Sequence, residues 1–78
     1  MESMLSPQSS VALKASLRKH LQTLEVGTRL PPERKLAEQY GFSRATMSKV
    51  LAELETEGLV TRQVGRGTFV MPRDTVAI

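Results

Sequence analysis

The turn between two helical segments in the middle of the chain restricts its fold more than any other feature. Gly41 ends the first segment, because glycine adopts the left-handed backbone conformation at low cost, and Ser43 can cap the start of the second. Only Phe42 separates these two residues. Two helices joined by a short, glycine-bearing turn form a helix-turn-helix candidate.

The helical spacing of apolar residues predicts three helices, which we number in chain order. Helix 1 is predicted over 9–25, helix 2 over 32–40 and helix 3 over 43–57. Pro32 suits the first position of helix 2, and Gly27 follows helix 1 as glycine often does. The residues expected on the buried faces are Leu13, Leu17, Leu21, Leu24, Leu36, Ala37, Tyr40, Met47, Val50, Leu51 and Leu54.

A β-hairpin is predicted after helix 3, because the period of the apolar residues changes there. LVTRQ and TFVM are two β-prone runs on either side of the glycine-bearing stretch VGRG. Leu59 and Phe69 are expected to cover the helices, together with Val60 or Val70. Residues 29–30 can add a short third edge strand. The predicted fold class is mainly α with a small β-hairpin: a winged helix-turn-helix of three helices and a two-stranded wing.

Length and composition limit the class of protein. The 78 residues have room for one small domain, predicted over 9–71, with an N-terminal tail over 1–8 and a tail or linker over 72–78. Without cysteine and with His20 as the single histidine, we expect no metal, no cofactor and no enzymatic activity. No apolar run approaches the roughly 20 residues of a membrane span and no signal-peptide pattern opens the chain, so we expect a cytoplasmic protein.

The charges of helix 3 run against the helix dipole. Arg44 and Lys49 lie in its first half, and Glu53, Glu55 and Glu57 follow towards its end. The dipole favours the opposite order, with acids first and bases last. An external polyanion near the start of the helix explains this order, and the net charge of +3 is compatible with such a partner. The pattern favours insertion of the first two turns into a DNA major groove.

Candidate DNA-contacting residues follow from the chemistry of the exposed side chains. Arginine can fork onto guanine or a phosphate, hydroxyl groups can bind either, and small residues let a helix approach base edges. Cations at the start of helix 2 oppose the dipole unless a phosphate is close, and a glycine-flanked arginine in the wing can reach the minor groove. The candidates are Arg34, Lys35, Ser43, Arg44, Ala45, Thr46, Ser48, Lys49, Gly65 and Arg66.

Each of these features alone also has an ordinary explanation. Helix 3 by itself could be an amphipathic helix with a solvated polar face, and 65–67 could be a simple hairpin turn. The main alternative function is a winged helix used for protein–protein interaction without DNA binding, whose sign would be an exposed apolar patch. Single-stranded RNA binding would need exposed aromatic platforms, which a chain with 4% aromatic residues can scarcely provide.

The ordered string LPPERKLAEQYGFSRATMSKVLAELETEGLVTRQVGRGTFV carries a family resemblance. It has LPPER before helix 2, an SR pair opening helix 3, LETEGLV at the end of that helix and GRGTFV in the wing. Over 11–71 the chain resembles the winged helix-turn-helix domain of GntR-type bacterial transcription regulators. The resemblance implies binding to operator DNA, with the recognition helix 43–57 in the major groove and the wing tip 64–67 at the minor groove.

The resemblance also has implications for single residues and for partners. By position, Arg34, Ser43, Arg44 and Thr46 match DNA-contacting sites of the family. Ser48 stands where the family commonly carries arginine, which implies a different operator preference. The implied partners are double-stranded operator DNA arranged as an inverted repeat, a second copy of the regulator in a homodimer, and a small-molecule effector held by a larger C-terminal domain beyond this chain.

Overall fold

Three helices and one antiparallel hairpin make up the fold in the computed structural model, which describes residues 10–72. The elements are α1 (Ser10–Leu21), α2 (Glu33–Tyr40), α3 (Arg44–Thr56), β1 (Val60–Gln63) and β2 (Gly67–Val70). The predicted winged helix-turn-helix fold is confirmed. Apart from residue 72, the predicted tails lie outside the described residues, so the domain boundaries stay a prediction. No described helix is long and apolar enough to cross a membrane.

The first helix is shorter than the sequence predicts. It ends at Leu21, whereas the predicted helix continued to residue 25. The backbone N–H and the hydroxyl of Thr23 both donate to the His20 carbonyl, at 2.9 and 2.7 Å. In a continuing helix that carbonyl would accept a hydrogen bond from the N–H of Leu24, but this N–H donates to the Leu21 carbonyl instead. The side chain of Thr23 therefore helps to stop the helix, and Leu24 packs against the core from the turn.

The turn between α2 and α3 has the predicted chemistry. Gly41 adopts φ +74°, and its N–H binds carbonyl groups in the last turn of α2. Ser43 caps α3, since its Oγ accepts a hydrogen bond from the N–H of Thr46 at 3.1 Å. Pro32 differs from the prediction: it is the N-cap of α2 instead of its first helical residue, and it provides no side-chain acceptor.

The wing is a two-stranded sheet with one further segment attached to it. β1 pairs with β2 along its whole length, and Gln63 faces Gly67 beside the turn. Arg29 forms an isolated antiparallel bridge with Phe69, so the predicted edge segment is present as a single bridge and not as a strand. The wing is thereby tied to the segment that leads into α2.

The core lies between the three helices and the inner face of the wing. Val60 and Val70 are buried, whereas Leu59 and Phe69, which were expected to cover the helices, are only half-buried. Directly paired residues share one face of a sheet, so the two valines lie on the inner face together, and Phe69 faces the other way. The buried apolar residues are Leu13, Leu17, Leu21, Leu30, Leu36, Ala37, Met47, Val50, Leu51, Leu54, Val60 and Val70.

Candidate nucleic-acid interface

The start of α3 is organised by its serine cap. Besides accepting from the backbone of Thr46, the Ser43 hydroxyl donates to Thr46 Oγ1 at 2.9 Å. The cap satisfies one of the N–H groups that a helix leaves unbonded at its start. Ser43 is thus engaged within the protein, whereas the Thr46 hydroxyl keeps its own proton for another acceptor.

The outward face of α3 follows the prediction. Arg44, Ala45 and Lys49 are exposed, and Thr46 and Ser48 are half-buried beside them. Neither Arg44 nor Lys49 forms an ion pair within residues 10–72. The first two turns of α3 therefore present two cations, without an internal counter-charge, next to short side chains.

The acidic end of α3 is neutralised by α1. Lys14 Nζ lies 2.5 Å from Glu57 Oε2 and 3.4 Å from Glu53 Oε1, and Arg18 Nη2 donates to Glu57 Oε1 at 2.6 Å. The hydrogen bonds from Lys14 and Arg18 lower the pKa of Glu57 below its ordinary value. The hydrogen bond to Glu57 in turn raises the pKa of Lys14. Two of the three acids that follow the cations along the chain are therefore engaged within the fold.

Arg62 of β1 engages the third acid, Glu55. Its Nε lies 3.7 Å from Glu55 Oε1, its backbone N–H donates to Glu55 Oε2 at 3.1 Å, and its Nη1 donates to the Ser48 carbonyl at 2.9 Å. The prediction from sequence overlooked Arg62. The alternation of side chains along a strand could have identified it, because Arg62 lies on the same face of β1 as the buried Val60. A cation on that face needs hydrogen-bond acceptors from the fold.

A cleft of about 470 Å³ lies where the start of α2 approaches the start of α3. It brings together three of the predicted residues, Arg34, Lys35 and Arg44, with Glu33 and Glu38 on its walls. Arg34 and Lys35 are exposed and form no ion pair in the described part of the chain. The first N–H groups of α2 also lack a side-chain cap. Cations beside an uncapped helix start suit an anion such as phosphate.

The wing turn presents Arg66 as predicted. Val64, Gly65 and Arg66 form the turn, and Gly65 adopts φ +77°. Arg66 is exposed and has no ion-pair partner between residues 10 and 72, and Val64 beside it is fully exposed. The turn therefore carries one cation and one apolar side chain at its tip.

Arg29 is a further cation at the wing, which the prediction from sequence treated only as part of an edge strand. Its side chain crosses Gly67, where an added Cβ atom would lie 2.8 Å from Arg29 Nε. Arg29 is exposed, has no ion pair within 10–72, and shares a cleft with Gly65 and Arg66. This proximity depends on pairing between segments that are distant in sequence, so no local pattern reveals it.

Residues 10–70 match the family of bacterial regulatory proteins designated gntR. The chain belongs to the gntR family. The HTH-type transcriptional repressor NagR of Bacillus subtilis (strain 168) is 39% identical to this GntR domain, over 85% of the chain and 30% of NagR. The chain thus spans less than a third of the length of this relative.

Solved structures resemble the GntR domain over most of its length. AraR(DBD) in complex with operator ORE1 has a TM-score of 0.73 and 28% identity, over 78% of this chain and 77% of that one. PhnF from Mycobacterium smegmatis has a TM-score of 0.69 and 37% identity, over 76% of this chain and 26% of PhnF. Family and fold together make the chain a DNA-binding domain of a transcription regulator and not an enzyme.

Proposed function

We propose that this GntR domain binds double-stranded operator DNA with the first two turns of α3 in the major groove and the wing turn at the adjacent minor groove. The division of charge on α3 carries the proposal. The acids towards its end, Glu53, Glu55 and Glu57, are paired within the fold, whereas Arg44 and Lys49 have no ion pair within residues 10–72. Such a helix is effectively positive only at the end that would meet the phosphates.

The side chains of α3 have separate roles in this proposal. Arg44 can fork onto guanine or a phosphate, and Lys49 lies further along on the same exposed surface. Ala45 leaves room for a close approach to base edges, and Thr46 can donate its hydroxyl proton to a phosphate or a base. Ser48 is short and half-buried, so Lys49 provides the longer reach at this level of the groove.

The cleft at α2 and the wing would hold the DNA backbone on either side of the recognition helix. Arg34 and Lys35 offer two cations at the uncapped start of α2. Arg66, beside the flexible Gly65, can reach a phosphate or the narrow minor groove. Arg29 adds a second cation to the same cleft. These contacts position the domain on the duplex and contribute affinity that depends little on sequence.

The remaining activity of the regulator is proposed for segments outside this chain, which spans 30% of the length of NagR. Helix-turn-helix proteins gain affinity by pairing on two half-sites about one helical turn apart. We therefore expect a cytoplasmic homodimer on an inverted repeat, with a small-molecule effector bound by a further domain. The isolated domain is expected to bind one half-site weakly.

Protein–protein interaction through α3 would need an apolar patch on that helix. The large hydrophobic side chains that are exposed in the described residues are Val11, Val26, Val64 and Met71. None of them lies on α3, so the outward face of this helix is suited to a polar partner.

Selection from random double-stranded DNA tests the proposal and identifies the site in one experiment. The 78-residue chain is expected to enrich one short sequence motif. Lys49→Ala should weaken the enrichment, because it removes a cation from the proposed groove surface. Lys19→Ala is the matched control, since it removes the same charge from the exposed surface of α1 and should leave the enrichment unchanged. A folded chain that enriches no motif would contradict the proposal.

A further inference from the structure

Arg62 joins the wing to both helices of the helix-turn-helix. Its guanidinium donates to the Ser48 carbonyl of α3 at 2.9 Å and lies 3.7 Å from Glu55 Oε1 and 3.6 Å from Glu33 Oε2. Its backbone N–H, within β1, donates to Glu55 as well. Among residues 10–72, no other charged side chain pairs with both α2 and α3 from the wing.

We propose that Arg62 is a positioning residue, which holds the wing turn and the recognition helix at a fixed separation so that both reach DNA together. The proposal rests on the function proposed above. The wing turn begins at Val64, two residues after Arg62, and Lys49 directly follows Ser48. One guanidinium therefore links a point near the wing tip to a point beside the groove-facing lysine.

Arginine suits this role because of its shape. The guanidinium is planar and carries five N–H donors in a fixed fork, so it can serve one carbonyl and two carboxylates from a single orientation. A lysine ammonium is a point charge and would not fix a direction. The side chain of Arg62 is 31% exposed, so solvent screens its contacts less than those of a fully exposed pair.

A role in stability alone would have a different signature from a positioning role. If Arg62 only stabilises the fold, its removal lowers the melting temperature. In every folded molecule, however, Arg66 still contributes the same free energy to DNA binding. If Arg62 positions the wing, its removal reduces the contribution of Arg66 to DNA binding. The two residues then show an interaction energy, although within residues 10–72 no hydrogen bond or ion pair joins them.

A double-mutant cycle on DNA binding separates the two roles. The Kd for the selected duplex is measured for the unchanged chain, Arg62→Met, Arg66→Ala and the double variant, at a temperature where circular dichroism shows each to be folded. In the unchanged chain Arg66→Ala is expected to weaken binding about tenfold, and in Arg62→Met no more than about threefold, a coupling typical of interdependent residues. In Arg62→Lys, which keeps the charge, the effect of Arg66→Ala is expected to lie between these two values.

Arg18→Met is the matched control, because it removes another arginine ion pair of α3, the one from α1 to Glu57. It should leave the effect of Arg66→Ala at about tenfold. Equal effects of Arg66→Ala with and without Arg62 would overturn the proposal, as would no effect of Arg66→Ala in the unchanged chain. If Arg62→Met does not fold, the cycle with Arg62→Lys decides: an effect of Arg66→Ala smaller than in the unchanged chain supports the proposal, and an equal effect overturns it. A folded chain that binds no selected duplex would instead contradict the proposed function.

Discussion

Arg44 lies where its own fold opposes a positive charge. It is the first residue of α3, where the helix dipole is positive, and it shares a cleft with the cations Arg34 and Lys35 as well as with two glutamates. Its side chain is exposed and forms no ion pair within residues 10–72. A phosphate or a guanine edge at this place would relieve the repulsion, so the free domain is arranged for an anionic partner.

Arg44→Ala should therefore separate base recognition from general affinity. If Arg44 reads a base, as proposed, we expect the substitution to weaken binding to the selected duplex by about 1 to 3 kcal/mol, because a bidentate contact would be lost. Binding to a random duplex should change much less. Fluorescence anisotropy with both duplexes measures the two losses, and Lys19→Ala serves as the charge control. Equal losses on the two duplexes would show that Arg44 reads no base.

At the scale of the elements, α3 is held by two sets of ion pairs. Lys14 and Arg18 attach its end to α1, and Arg62 attaches its middle to the wing. The first turn of α3 itself carries no acidic residue. The same contacts that hold the helix in the fold also neutralise its glutamates. These glutamates therefore add little negative charge to the surface that would meet DNA.

The pair between α1 and α3 makes stability depend on acid pH. The pKa of Glu57 is lower in the folded protein than in the unfolded chain, because Lys14 and Arg18 donate to its carboxylate. On acidification the unfolded chain binds the proton first, so this contribution is present above about pH 4.5 and is lost as the pH falls through the lower folded-state pKa. We expect Glu57→Gln to be less stable at neutral pH and to lose less stability in acid.

Melting temperatures recorded by circular dichroism between about pH 3 and pH 7 test this expectation. Glu38→Gln is the control, because Glu38 is exposed and forms no ion pair in the described residues. If Glu57→Gln and the unchanged chain lost stability in parallel over this range, the ion pair would not be the cause.

The wing depends on the absence of a side chain at Gly67. This residue adopts φ +124°, and Arg29 Nε occupies the space that a Cβ atom would need. We expect Gly67→Asn to reduce the free energy of unfolding by at least about 1 kcal/mol, since the backbone is strained and the arginine must move. Gly65→Asn is the matched control, because φ +77° suits asparagine and the space is open. Denaturant titration that gave equal losses for both would contradict the role of Arg29.

The elements could be predicted from sequence where their signals are local. Gly41 and Ser43 act within one or two residues of the turn, so the helix-turn-helix was predicted with the right boundary between its helices. The end of α1 was predicted wrongly, because Thr23 competes for a carbonyl that the leucine spacing does not reveal. The place of Arg62 depends on which segments pack together, and apolar periodicity carries no information about that.

At the scale of the whole molecule, two groups of cations within residues 10–72 have different surroundings. Lys14, Arg18 and Arg62 pair with glutamates inside the fold. The cations at the helix-turn-helix and the wing that form no ion pair within residues 10–72 are Arg29, Arg34, Lys35, Arg44, Lys49 and Arg66. All but Arg29 had been predicted as DNA contacts from their residue types and positions, and their roles there stay predictions.

The salt dependence of binding to the selected duplex tests the central claim, that these unpaired cations neutralise DNA phosphates. If four to six phosphates are neutralised, the logarithm of the affinity should fall with the logarithm of the salt concentration at a slope of about −4 to −5. A slope near zero, for a chain that binds the duplex and is folded, would contradict the account.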